Sequence, residues 1–337
     1  MKILLIGGTG TISLAITKQL AKTDHEVYLL NRRNRSDEVP ENIKTITADI
    51  SDEEAVADKL EGMYFDAVCE FIGFVPEQVE RDYRLFKDKT KQYIYISSAS
   101  AYHKPVRDYR ISEATTLANP HWEYSRKKIE CEEFLMKMYR ENGFPVTIVR
   151  PSHTYDLRNV PLAVRGNNGS WQVLKRMLEG KPVIIPGDGS SLWTITCNED
   201  FAKGYIGLIG NPHAIGEAFH ITSDESLTWT QIYQLVADIL GVELKPYYVS
   251  SELLAAVGSQ FDMEGNLLGD KACTVVFDNT KLKNAVPGFQ AVIRADQGLR
   301  KTIANILENK ELQREDPEFD AWCDKLVEKL EMVKAEF

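Results

Sequence analysis

The chain has 337 residues, 43% of them hydrophobic and 27% charged, and a formal net charge of −10. That length predicts one large domain plus a smaller one, with enough apolar residues for a packed core. The acidic balance argues against a general binder of nucleic-acid backbones, and no stretch approaches the roughly twenty apolar residues of a membrane span. Cys69, Cys131, Cys197, Cys273 and Cys323 are scattered without a CxxC pair. Neither a disulfide framework nor a zinc site is indicated, and a reducing cytoplasm is the expected compartment.

Lys2–Ile6 is a near-continuous apolar run, the pattern of a strand buried on both faces, and reads as a first strand and not a signal peptide. It enters Gly7-Gly8-Thr9-Gly10-Thr11-Ile12-Ser13, and Leu14 to Ala21 follows with apolar residues at helical spacing. Val27–Leu30 is a second strand ending at Asn31-Arg32-Arg33. Strand, glycine turn, helix, strand is the βαβ order that binds a dinucleotide, because glycine lets the backbone approach a pyrophosphate at the helix N-terminus.

A strand over Ile43–Thr47 reaches Ala48-Asp49-Ile50, and Ser51-Asp52 can cap a helix to about Leu60. Phe65–Ile72 reads as a strand, Pro76 opens a helix toward Phe86, and Tyr93–Ile96 is a strand running into Ser97-Ser98-Ala99-Ser100-Ala101-Tyr102. A long helix covers Tyr124 to Glu141, stopped by Asn142-Gly143, and Pro145–Arg150 is a sixth strand. This alternation predicts a doubly wound, Rossmann-type parallel sheet built mainly from residues 1–165. Beyond it, helices are expected at Trp171–Glu179, Asn198–Ile209, Trp229–Leu240 and Pro317–Lys334, with strands at Val183–Ile185 and Ala218–Ile221. Residues 166–337 should form mainly a smaller α/β substrate domain whose segments interleave with the first.

Tyr124 and Lys128 stand four residues apart and share one helix face. An ammonium near a phenol favours its phenolate, so the pair suits proton transfer in an alcohol–carbonyl interconversion; a plain helix-surface pair is the alternative. Ser98 ends a predicted strand about 26 residues earlier, where open α/β sheets bind ligands.

The glycine loop, strand-end Ser98 and the Tyr124/Lys128 helix, with Arg150-Pro151, Asp188-Gly189 and Asn198 to Ala202, resemble the extended and atypical short-chain dehydrogenase/reductases, including the NAD-dependent epimerase/dehydratases. The resemblance runs from Met1 to about Ile306. It implies that Tyr124 is the acid/base, that Lys128 lowers its pKa and holds the nicotinamide ribose, and that Ser98 binds the reacting oxygen. It further implies that Gly7, Gly10 and the Thr9–Ile12 backbone cradle the pyrophosphate, that Asp49 and Ile50 lie near adenine, and that helices beginning near Pro76 and Tyr124 form a homodimer face.

Three departures shape the expected chemistry. Ala99-Ser100 replace the Asp-Glu with which the 4,6-dehydratases eliminate water, so that reaction is not expected. Trp193 stands where nucleotide-sugar epimerases place a diphosphate-binding Arg, and a neutral indole cannot replace a guanidinium's charged, bidentate grip. Arg158 and Arg165 are alternative sources of that charge. His153 and Trp193, with Ser100, are candidates to line a pocket for an uncharged, sugar-like substrate; packing is the competing explanation for His153 and Trp193. At the second strand's end, Asn31, Arg32 and Arg33 replace the carboxylate that binds the ribose of NAD, which leans the choice between NAD and NADP toward NADP. The expected function is an oxidoreductase or redox epimerase acting on a sugar-like small molecule. The rival is a non-catalytic dinucleotide sensor or an RNA-binding protein like the chloroplast members of the group, with the acidic charge against RNA.

Overall fold

Strand β1, Lys2–Ile6, buries Ile3 and Leu5 on one face and Leu4 and Ile6 on the other. Both faces are apolar because β1 lies mid-sheet with helices on either side. The computed structural model describes residues 1–32 and 39–337. Arg33 therefore lies outside the described residues. Among those described, the main sheet has seven strands: β1, β2 (Glu26–Asn31), β3 (Lys44–Thr47), β4 (Ala67–Glu70), β5 (Tyr93–Ile96), β6 (Val146–Pro151) and β7 (Ala218–Ile221). Their order is β7-β6-β5-β4-β1-β2-β3 and every pairing is parallel.

Helix α1, Ser13–Leu20, covers one face; α2 (Glu53–Lys59), α3 (Pro76–Phe86) and α4 (Glu123–Asn142) pack on the other. Helix α5, Asn198–Leu208, lies beside α1 and puts Phe201 and Tyr205 into the same core. A smaller α/β region gathers Trp193, Trp229, Tyr233, Leu254 and Leu299 into another core. It contains short strand pairs the sequence did not announce, such as His153–Tyr155 with Ile195–Cys197, and a helix at Ala295–Glu308. Strands of two to four residues carry too few alternations for periodicity to register. Among the described residues no helix is long and apolar enough to cross a membrane.

Arg150 on β6 makes a bidentate ion pair with Glu132 on α4, at 2.9 and 2.6 Å, with both side chains almost fully buried. Replacing Arg150 by Met strands the Glu132 carboxylate. The expected loss is about 3–5 kcal/mol of unfolding free energy by urea titration, most of it recovered in Arg150→Met/Glu132→Leu. A single variant within about 1 kcal/mol of wild type would show that the pair does not hold α4 to the sheet.

Candidate active site

The strand order reverses between β1 and β4, which opens a crevice at the carboxyl ends of the strands. The loop after β1 is shaped to line it. Gly7 has φ of +84°, and a Cβ there would lie 2.5 Å from Ile72 Cγ2, so the position admits only glycine. The Ser13 hydroxyl donates to the Gly7 carbonyl at 2.8 Å and accepts from the Gly10 amide at 2.9 Å. Thr17 Oγ1 donates to the Gly8 carbonyl, and Asn198 Nδ2 on α5 donates to the Thr11 carbonyl.

Beside this loop lies a cavity of about 570 Å³ whose walls bring together Gly7, Thr9, Gly10, Asn31, Arg32, Asp49 and Ile50. Its volume and glycine wall fit the adenosine and pyrophosphate of a dinucleotide. Thr11 faces a second cavity instead, and Ile12 packs against the core under α1. Arg32 is not an uncommitted guanidinium. Its Nη1 lies 3.6 Å from Asp49 Oδ2, and hydrogen bonds from Ser51 keep the Asp49 carboxyl below its ordinary range. The sequence's lean toward NADP loses its main support here, because an ionised carboxylate already occupies the arginine.

A cavity of about 230 Å³ at the ends of β5 and β6 collects Ser98, Ser100, Tyr124 and His153, together with Asp270 and Lys271. Burial pushes the Tyr124 hydroxyl up to about 12; a hydrogen bond with Ser98 opposes this and the Asp270 charge adds to it. Lys128 is buried, its Nζ donating to the carbonyls of Gly73 at 2.6 Å and Ile96 at 2.8 Å, 5.8 Å from the Tyr124 ring centre. Burial brings its ammonium down to about 8. The lowering of Tyr124 expected from Lys128 does not set the outcome: desolvation of the phenol is the leading cause, and the shift is upward. Ser100 lines the cavity, but its hydroxyl pairs with Ser98 at 2.8 Å and accepts from Ser125 at 2.7 Å, so it orients Ser98.

His153 lines both this cavity and the second one. Burial holds its imidazole neutral, well below the usual range, and its Nδ1 has no hydrogen-bond partner among the described residues. The second cavity, about 560 Å³, is polar and carries Arg158, Arg165, Arg314, Asn167 and Asn168. Arg158 pairs there with Asp156 at 2.5 Å. Trp193 is a correction to the sequence reading. It is 2% exposed and stacks on Trp229 at 5.7 Å inside the smaller core, so it forms no wall for substrate.

Three groups went unnoticed in the sequence. Asp270 and Lys271 end an eight-residue π-helical turn, Glu264–Lys271. Asn119 ties that turn to the site: its amide donates to the carbonyls of Ser100 at 2.8 Å and Gly269 at 2.7 Å, and its Oδ1 accepts from the Trp122 amide at the start of α4. The readable signal was the Gly265/Gly269 spacing, which lets the turn press onto Trp122; a Cβ at Gly265 would run into that indole.

Comparison with known proteins gives a consistent picture. Residues 3–222 match the model of the NAD dependent epimerase/dehydratase family. The chain is 23% identical over 290 residues to the 2'-dehydrokanamycin reductase of Streptomyces kanamyceticus, covering 86% of this chain and 80% of that one. It is 27% identical over 242 residues to chloroplast stem-loop binding protein of 41 kDa b from Arabidopsis thaliana, covering 68% of this chain and 60% of the other. Among solved structures, epimerase Mth375 of Methanothermobacter thermautotrophicus superposes with a TM-score of 0.75 at 18% identity, over 93% of this chain and 94% of that one. The UDP-glucuronic acid 4-epimerase of Bacillus cereus in complex with NAD gives 0.72 at 19% identity, over 93% and 100%. At these identities the structural likeness establishes the fold.

Proposed function

Since the chain belongs to the NAD dependent epimerase/dehydratase family, we propose that it is an NAD(P)-dependent oxidoreductase or redox epimerase acting on a secondary alcohol of a sugar-like substrate. The observation that supports this reading is the meeting of Ser98 and Tyr124 in one cavity, with buried Lys128 one helical turn along α4 from Tyr124. Gly7, Thr9 and Gly10 would hold the pyrophosphate, Asn31 and Arg32 the adenosine ribose, Asp49 and Ile50 the adenine, and Lys128 the nicotinamide ribose. A bound nicotinamide supplies hydride acceptance and donation at the substrate carbon. Ser98 donates a hydrogen bond to the reacting oxygen and Tyr124 takes or returns its proton. In an epimerase the same two groups would serve both half-reactions, Tyr124 taking the proton in one and returning it in the other.

The test is a thermal-shift and turnover screen of the full chain with NAD or NADP against UDP-, GDP- and dTDP-sugars, free sugars and small polyols. Net NAD(P)H formation marks a dehydrogenase, and product inversion without it marks an epimerase. Neither, with any substrate that shifts the melting temperature, removes the reading. A nucleotide-linked sugar is favoured by one observation: the arginine-bearing cavity adjoins the catalytic one through His153. RNA binding, suggested by the Arabidopsis relative's name, is disfavoured by the net charge of −10, and a salt-sensitive gel shift would revive it.

For the cofactor, NAD is expected to bind at least as tightly as NADP. Asp49→Asn releases Arg32 and removes a repulsive charge, so NADP should gain about fivefold relative to NAD, the ~1 kcal/mol of an exposed pair. Wild type preferring NADP tenfold or more in calorimetric titration would contradict this.

A further inference from the structure

The Asp270 carboxylate stands in the catalytic cavity without the partners such a group normally has. Its side chain is 17% exposed, and it lines the same cavity as Tyr124 and Ser98. Among the described residues its oxygens accept no hydrogen bond, and the nearest cation, Lys104 Nζ, is 3.9 Å away. Enclosed carboxylates are ordinarily hydrogen-bonded, and this one lines the cavity with no donor to its oxygens among the described residues.

The surroundings hold it there. Asn119 fixes the Gly269 carbonyl, one residue earlier in the chain. Lys104, 2% exposed, donates to the Asp270 carbonyl at 3.4 Å and lies 5.8 Å from the Trp193 ring centre. Trp193, which forms no wall of the site, thus supports the cation that balances Asp270. Lys271 is directed elsewhere, its Nζ donating to Asn266 Oδ1 at 2.9 Å.

We propose that Asp270 is a substrate-specificity residue, accepting a hydrogen bond from a second hydroxyl of a small polyol ring whose first hydroxyl lies at Tyr124. This rests on the catalytic reading of Tyr124 given above. Two arguments select a neutral hydroxyl donor. Lys104 and Lys271 both lie close to Asp270 in charge terms, so an incoming ammonium would meet two like charges, whereas a hydroxyl meets none. A cavity of about 230 Å³ has room for a single six-membered ring with its hydroxyls, roughly the share of eight liquid waters.

The probes are myo-inositol and cyclohexanol, titrated onto the full chain by saturation-transfer NMR, with and without NAD. Wild type should bind the polyol about tenfold more tightly than the mono-alcohol, the worth of one charge-assisted hydrogen bond. Asp270→Ala should reduce that preference to threefold or less at unchanged cyclohexanol affinity. Asp270→Asn, which keeps an acceptor oxygen, should retain part of it and serves if the alanine variant does not fold. Tyr124→Phe should retain it in full. Equal wild-type affinities for the two probes, or a preference that survives Asp270→Ala, overturns the proposal. Failure of the catalytic reading shows separately, as turnover that survives Tyr124→Phe.

Discussion

Tyr124→Phe is expected to lower kcat by about 10²- to 10⁴-fold while cofactor affinity stays within about twofold. The reason lies in where the hydroxyl sits. Burial keeps it protonated up to about 12, with Ser98 as its hydrogen-bond partner. A protonated phenol is a ready acid, so carbonyl reduction should be nearly flat in rate from pH 6 to about pH 9. Alcohol oxidation needs the phenolate, and its log kcat/KM should climb about one unit per pH unit from pH 6 to about pH 8, levelling off where Lys128 loses the charge that favours the phenolate. Phenylalanine fills the same space but can neither give nor take a proton, so both profiles collapse to a low, pH-independent rate. Losing the single hydroxyl should change stability by only about 1 kcal/mol, checked by urea titration of the same samples. A Tyr124→Phe protein with wild-type turnover would assign the proton to another group.

The parts of this site that a reader could find in the sequence are those whose chemistry is local. Lys2–Ile6 followed by Gly7 and Gly10 needs only a buried strand and a backbone turn, and both are encoded within ten residues. Tyr124 and Lys128 are legible because one helix spaces them. Asp270 was not. It reaches Tyr124 from about 150 positions away in sequence, on a π-helical turn whose period matches neither the helix nor the strand pattern. Arg32 was misjudged for a related reason: Asp49, its ion-pair partner, follows the neighbouring strand β3. Trp193 was misplaced because alignment gives a position along the chain and says nothing of depth. Its stacking on Trp229 follows from the antiparallel pairing of Leu192–Trp193 with Leu227–Thr228, two-residue strands without a periodic signature.

Lys128→Met should separate the two roles of a buried ammonium. On activity, the loss of a cation 5.8 Å from the Tyr124 ring centre should cut the phenolate population, and with it oxidation near neutral pH, by about 10- to 10³-fold. On stability, the effect depends on pH. The Lys128 ammonium is brought down to about 8 from 10.5. Between those values the unfolded chain holds a proton that the native chain has released, so unfolding free energy rises with pH across that window. Below pH 8 both states are protonated and the contribution is constant. Lys271, also brought down to about 8 by burial, acts in the same direction and stays in the variant. The comparison therefore isolates Lys128: from pH 7.5 to 10 the wild-type gain should exceed the Lys128→Met gain by ~2.4 kcal/mol. Urea midpoints at the two pH values give the result directly. Equal gains in the two proteins would mean that the carbonyls of Gly73 and Ile96 fully replace the water Lys128 gave up, and that its ammonium stays charged in the fold well above pH 8.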